Sequence, residues 1–407
     1  TLFGEYEQTY TYGKRRESAM IDNEALHYLD NAATTRVAPE VTDAIYKTMV
    51  NHWGNPSSLY TPGVESRELL DKARHIVGRT LGAEPGQVFF TGCGSESNNI
   101  AILGAALARR SWGKKIVASG FEHPSAALPL ARLAEEGFEV DFVAPGADGR
   151  LDVDAIADRV DKGTILVTCM QVNNETGARQ DVKKLAARVK EANSRTAVHV
   201  DGVQAWMRLP VSLENIDSYT VSGHKIHAPK GVGALYLRRG YNIQPPYLGG
   251  GQEKGHGGGQ EQGVRPGTEN LPYAVGLATA ARRMEKTFDA RAAHVAALNA
   301  RLRAGLAGLD VVLNSPADAV SEVLNFSTMR VKSETMLHYL EQTKVYVSSG
   351  SACSRGAASH TLAAMGLEPR RIDTALRVSF CAENTEADVD ALLNGLEQGL
   401  KTLAQLR

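Results

Sequence analysis

From about residue 37 onward, short β-branched and aromatic runs alternate with stretches whose apolar residues recur near i, i+3 and i+4. That alternation is the signature of parallel strands joined by helical crossovers. It predicts strands at 88–90, 115–117, 139–143, 164–169, 197–200, 218–221 and 233–237, with helices at 63–80, 95–110, 123–136 and 181–193 between them. Around 249–267 the composition turns to Gly, Gln and Glu, and the octad at 249–256 is echoed at 257–264, which predicts a flexible loop. An Ala/Leu/Arg-rich helical stretch then runs over 271–308, read here as one long hinge helix. Shorter elements follow at 322–326, 334–341, 345–347 and 375–380, closed by an amphipathic helix over 385–403. The expectation is an α/β domain with a mostly parallel seven-stranded sheet over 37–284. A smaller α+β domain is expected from 1–36 and 285–407, with 1–19 reading as an extension ahead of Met20.

Composition narrows the classes. The 407 residues are 43% hydrophobic and 22% charged, so the chain is globular and large enough for more than one core. With 45 basic against 46 acidic residues and a net charge of -1, no global field favours nucleic acid or an anionic membrane, and neither is expected as a partner. Cys93, Cys169, Cys353 and Cys381 fit no zinc-ligand spacing and no disulfide framework, so no metal is expected and a reducing compartment is. No run approaches the roughly 18 apolar residues of a membrane span, and the first thirty residues lack an apolar leader segment. A cytoplasmic protein is the expectation.

Ligands of open α/β sheets bind outside the carboxyl ends of the strands, so polar residues there carry most weight. Thr91-Gly92-Cys93-Gly94-Ser95 leads into a helix whose N-terminus could hold a phosphate, or Ser95 is simply the helix cap. Asp201 ends a strand, where a buried carboxylate needs a cationic or protonated partner, unless it only caps the following helix. Ser222-Gly223-His224-Lys225 ends the next strand. Alone Lys225 would be a solvated loop lysine, but a lysine amine and a carboxylate on neighbouring strand ends suit a pyridoxal ring, which needs an amine at C4 and an acid at its nitrogen. His123 follows the strand at 115–117 and could lie over a flat ring, or be an ordinary packed histidine. Cys353, in a Gly/Ser loop beside Arg355, is the best reactive thiol of the four.

Together these segments resemble the NifS/IscS branch of cysteine desulfurases, within the class V aminotransferase-like, fold-type I family of pyridoxal 5'-phosphate enzymes. The resemblance rests on Tyr28-Leu29-Asp30-Asn31-Ala32-Ala33, Asn55-Pro56-Ser57-Ser58, Glu122-His123, Val172-Asn173-Asn174-Glu175, Asp201-Gly202-Val203-Gln204, Ser222-Gly223-His224-Lys225, Arg265-Pro266-Gly267-Thr268 and Ser349-Gly350-Ser351-Ala352-Cys353. It implies that Lys225 carries the cofactor, that Asp201 meets its ring nitrogen, and that Gln204 meets its hydroxyl while His123 stacks on the ring and assists proton transfer. Gly94, Ser95, Ser222 and His224 would hold the phosphate, joined by Thr268 from a second subunit, which implies a homodimer. Asn174 and Arg377 would bind the substrate carboxylate, and Cys353 would take sulfur from L-cysteine as a persulfide and pass it to an acceptor protein, such as a cluster-assembly scaffold or a tRNA-modifying enzyme. The duplicated octad, Pro266 in place of the family's Ser and a short loop after Cys353 depart from the pattern. Other readings are a selenocysteine lyase or another class V enzyme on the same scaffold, a non-catalytic interaction protein, and a nicotinamide oxidoreductase, the last lacking a glycine fingerprint after the first strand.

Overall fold

The computed structural model describes residues 26–249, 260–349 and 359–406. Its strands are β1 (His27–Tyr28), β2 (Val88–Thr91), β3 (Lys115–Ser119), β4 (Glu139–Val143), β5 (Thr164–Met170), β6 (Ala197–Asp201), β7 (Ser218–Ser222), β8 (Gly233–Leu237), β9 (Val312–Leu313), β10 (Val323–Ser327), β11 (Val345–Tyr346) and β12 (Ala375–Ser379). Its helices are α1 (Pro39–Asn51), α2 (Thr61–Leu81), α3 (Gly94–Arg109), α4 (Pro124–Glu135), α5 (Val153–Ala157), α6 (Val182–Ala192), α7 (Leu271–Lys286), α8 (Phe288–Leu306), α9 (Ser333–Gln342), α10 (His360–Ala364), α11 (Pro369–Asp373) and α12 (Glu386–Thr402).

Seven strands form one sheet in the order β2-β8-β7-β6-β5-β3-β4. All neighbours run parallel except β8, which is antiparallel to both β7 and β2. The central strand β5 is buried along its whole length, which is why its sequence is nearly continuous in apolar residues. Two apolar layers sandwich the sheet. On one face Leu70, Val77, Leu185 and Leu277 of α2, α6 and α7 meet Val167, Val198, Val200 and Val221. On the other, Ile100 and Ile102 of α3 and Leu130 of α4 meet Ile116, Leu166, Ala197 and Leu235. A third core gathers Leu298 and Leu302 of α8 with Phe326, Leu340, Leu376, Val378 and Leu392, around the antiparallel sheet β12-β10-β9 and the parallel pair β1-β11.

The hinge helix expected over 271–308 is corrected: it is two helices broken at Thr287. Thr287 Oγ donates to the carbonyl of Arg283 at 3.2 Å, and the two helices serve different cores, α7 against α2 and α8 against α12. A β-branched hydroxyl residue that bonds back to the preceding turn weakens the helix locally, and packing then decides the direction of each half. The glycine-rich repeat falls mostly outside the described residues, as does the 1–19 extension. No helix among the described residues is long and apolar enough to cross a membrane.

Candidate active site

The carboxyl ends of β2, β3, β5, β6 and β7 bring the sequence-predicted residues to one edge of the sheet. β7 ends at Ser222, and a single tight turn, Gly223–Lys225, follows it. The segment 30–36 wraps this turn: Thr35 donates both its N–H and its Oγ–H to the carbonyl of His224, at 2.8 and 2.9 Å. Lys225 Nζ consequently reaches two backbone carbonyls, of Ala32 and Ala33, each at 2.7 Å. Carbonyls can only accept, so they hold the amine in place without neutralising it.

Asp201 ends β6 on the α3 face of the sheet. Its Oδ1 accepts from the Val203 N–H at 2.9 Å, and its Oδ2 accepts from Asn98 Nδ2 at 2.8 Å. The helix that Asp201 was read as capping is a run of turns in the structure, so one oxygen caps a turn and the second faces a network. Asn98 also donates to Ser125 Oγ at 2.9 Å, and its Oδ1 lies 3.1 Å from His199 Nε2. Burial pushes the His199 imidazole down to about 4, so it is neutral at pH 7 and gives its Nε2–H to Asn98 while Nδ1 accepts from Ser218 Oγ at 2.9 Å.

The same chain reaches His123. Its Nδ1 lies 3.1 Å from the Ser125 N–H and 2.8 Å from Ser125 Oγ. A backbone N–H can only donate, so Nδ1 is an acceptor and the ring proton of the neutral form sits on Nε2. Burial lowers the His123 basicity, and the nearby Lys225 lowers it further against an opposing pull from Asp201. Beside it Glu122 is fully enclosed. One of its oxygens accepts from Ser119 Oγ and from the Met170 N–H at 2.8 Å, while Oε2 has no partner. Burial, reinforced by Asp201 and partly offset by those two bonds, pushes the Glu122 carboxyl up to about 8.

The phosphate-binding candidates lie where β2 and β7 end. Ser222 Oγ is buried and has no hydrogen-bond partner among the described residues. A Cβ at Gly94 would come 2.8 Å from Val203 Cγ2 and 3.3 Å from Ser222 Cβ, so only glycine leaves that space open. The cap of α3 is not Ser95, which is exposed in the first turn, but Cys93, whose sulfur accepts from the Glu96 N–H at 3.4 Å. That leaves the Ser95 hydroxyl available to a ligand. His224 Nδ1 meets Thr34 Oγ at 3.2 Å, and burial aided by Lys225 pushes the imidazole down to about 4. Gln204 bonds Ala32 O at 2.9 Å and Arg208, which still leaves its amide a second N–H. Thr268 is exposed and lines a cavity of about 230 Å³ with Thr91, Gly92 and Arg265 of its own chain.

Arg377 on β12 is buried and engaged: Nη2 pairs with Asp30 Oδ1 at 2.7 Å, Nη1 donates to the carbonyl of Asn174 at 3.0 Å, and Nε has no partner among the described residues. Asn174 and Arg377 are thus adjacent, as expected, but Asp30 was not foreseen as the arginine's counter-ion. Neither were Asn98, Ser125 or the carbonyls of Ala32 and Ala33. The available signal for Asn98 was an amide on the same helical face as Ala101 and Ala105. Cys353 lies outside the described residues.

A largely parallel sheet carrying a lysine and a carboxylate at adjacent strand ends, beside a helix N-terminus with an orphaned serine hydroxyl, defines a class of α/β enzymes built to hold a phosphorylated aromatic ring. The chain belongs to the aminotransferase class-V family, which it matches over residues 27–392. A cysteine desulfurase of Trichormus azollae is 36% identical over 93% of this chain and 94% of its own length. Among solved structures, a NifS-like protein superimposes with a TM-score of 0.86 at 34% identity, covering 92% of this chain and 99% of that one. SspA in complex with cysteine follows with a TM-score of 0.77 and 28% identity, over 88% and 99%.

Proposed function

We propose that the chain is a pyridoxal 5'-phosphate-dependent cysteine desulfurase, converting L-cysteine to L-alanine and passing the sulfur to an acceptor protein. The observation that carries this reading is the placement of Lys225 and Asp201 at the ends of the adjacent strands β7 and β6, in a chain similar over nearly its whole length to proteins named cysteine desulfurase. The fit to the cofactor is chemical: the orphaned Ser222 hydroxyl and the space kept by Gly94 suit a phosphate, and the Asp201 carboxylate suits a protonated ring nitrogen. When bound, the cofactor supplies an electron sink for the pair left by the substrate Cα–H bond.

The residues have separable tasks. Lys225 carries the cofactor and, once freed, takes the Cα proton, with Ala32 and Ala33 keeping its amine near the site. Asn98 holds Asp201 toward the ring nitrogen. His123, neutral with its proton on Nε2, acts as a donor over the ring. Gln204 meets the ring hydroxyl; Gly94, Ser95, Ser222 and His224 hold the phosphate, and Thr268 does so from a second subunit. Arg377 and Asn174 bind the substrate carboxylate, with Asp30 keeping Arg377 compensated until substrate arrives. The Cys353 thiolate forms a bond to the substrate sulfur as the Cβ–S bond breaks, its electron pair staying on Cβ, which takes a proton to become the methyl group of alanine; this needs a free thiol and so a reducing compartment such as the cytoplasm.

A homodimer fits this reading. Trp53 is 73% exposed and Leu59 96%, and Tyr46, Met49 and Val50 on α1 extend the same apolar surface. The division at 284/285 fits as well, since α7 and α8 serve separate cores. The test is alanine formation from L-cysteine with a thiol reductant. Lys225→Ala is expected to abolish it and remove the visible cofactor band, and Cys353→Ser to abolish it while keeping that band. Alanine formation undiminished in both variants would overturn the assignment, and activity on selenocysteine alone would favour the lyase.

A further inference from the structure

Away from these residues, on the far side of the Lys225 turn, His227, Cys381 and Glu383 bring one ligand atom each to a common point, all three within 4.8 Å of one another. His227 is two positions beyond Lys225, and Cys381 and Glu383 follow the strand that carries Arg377. His227 Nδ1 lies 3.0 Å from the carbonyl of Arg36. That oxygen can only accept, so Nδ1 carries the ring proton and the Nε2 lone pair faces Glu383 Oε2 at 3.4 Å. Two acceptors that close repel unless something positive lies between them. The single S–H of Cys381 can satisfy only one of them, and the His227 side chain is nearly inaccessible to water.

We propose that His227, Cys381 and Glu383 form a metal site for a zinc-class divalent cation, a structural clamp between the Lys225 turn and the loop after β12. The donor set of imidazole nitrogen, thiolate and carboxylate is that of a borderline-soft metal. Tetrahedral zinc with bonds of about 2.0–2.3 Å places its ligand atoms roughly 3.3–3.8 Å apart, and the 3.4 Å between His227 and Glu383 already falls there. The outer partners are of the usual kind for such sites. His227 gives its other N–H to a backbone carbonyl, and Glu383 receives Arg283 on Oε1 at 3.0 Å, leaving Oε2 for the metal. Arg283 is itself held by Glu40 at 2.8 Å. The Cys381 N–H is fixed to Asn384 Oδ1 at 2.9 Å, which sets the loop. On binding, the Cys381 thiol releases its proton to solvent and the sulfur bonds the metal; with thiolate and carboxylate the divalent charge sums to zero, so the nearby Arg291, already paired with Glu322, faces no excess cation. The half-exposed Glu383 side leaves a fourth position for water.

The experiment titrates cobalt(II), then zinc, into the full-length holoenzyme and reads the red d–d absorption of tetrahedral cobalt, which lies clear of the cofactor band. Wild type and Cys353→Ser should both develop it at one equivalent and lose it to zinc, and Cys381→Ser should not. Glu383→Gln, a half-exposed position that should leave folding intact, should weaken cobalt binding by more than the roughly 100-fold that loss of an outer partner can cost, because it removes a direct ligand. Zinc should raise the melting temperature of wild type but not of Glu383→Gln. Bands that vanish in Cys353→Ser but survive in Cys381→Ser, or no tetrahedral band in wild type, would overturn the site.

Discussion

Asn98 has no chemistry of its own, yet its amide joins two residues of the proposed cofactor site: Asp201 directly, and His123 through Ser125. Removing it leaves a buried carboxylate short of a donor, worth about 1.5–3 kcal/mol for a bond to a charged group. Asn98→Ala should therefore lower kcat roughly 10–100-fold with little change in KM, and should shift the pH titration of the visible cofactor band, a readout a mere packing defect would leave alone. Glu122 offers a second check. Its carboxyl is raised from an ordinary 4.5 to about 8, so between those values the folded state holds a proton the unfolded state has lost. Its contribution is full below pH 4.5 and lost as pH rises through 8. Across that window, wild-type stability should fall relative to Glu122→Gln by up to ~1.4 kcal/mol per pH unit, measured by denaturant unfolding at several pH values. His199 works the opposite way, since its lowered value of about 4 costs stability as pH falls below the ordinary histidine range. Lys225, Asp201 and His123 were legible in sequence because each follows a recognisable strand. Asn98, Ser125 and Asp30 were not, because their significance lies in partners 27 to 347 positions away.

The main-sheet strands were the most readable elements: each of the seven predicted runs lies in that sheet, with ends shifted by at most two residues, because burial in all but the half-exposed edge strand β4 leaves mostly apolar and β-branched side chains. Helix α1 was missed for the reverse reason. It buries only Val41 and Thr48, while Tyr46, Met49 and Val50 point outward and blur its amphipathic stripe. The break at Thr287 was equally invisible, since the apolar period passes through it and only the two separate cores enforce it. Turns show their constraints more directly. A Cβ at Gly202, beside Asp201, would overlap the ring of Tyr219, which is buried and pinned by its hydroxyl to Gln171 at 2.6 Å. Gly202→Ala should cost about 1–3 kcal/mol or more in thermal or denaturant unfolding. Gly94→Ala should instead leave the fold largely intact and weaken cofactor retention tenfold or more, followed as loss of the visible band on dialysis against a phosphate-containing buffer.

At the scale of the molecule, the exposed apolar surface of α1 and the loop to α2 is the feature a lone chain does not explain. If this face is the interface of the proposed homodimer, Trp53→Asp should shift the sedimentation coefficient toward that of a monomer and lower activity together with it. A variant that stayed dimeric would remove this face from the interface. The sheet order has its own implication. Strand β2, whose end opens into the turn before α3, pairs among the described residues only with β8, Thr91 meeting Gly233 across a long stretch of chain. During synthesis the early strand must wait at the sheet's margin, unpaired and apolar, until the later one has left the ribosome. The nascent polypeptide therefore passes through a period of exposure in which a chaperone has most to offer, and the turn after β2 cannot meet the end of β7 before it ends.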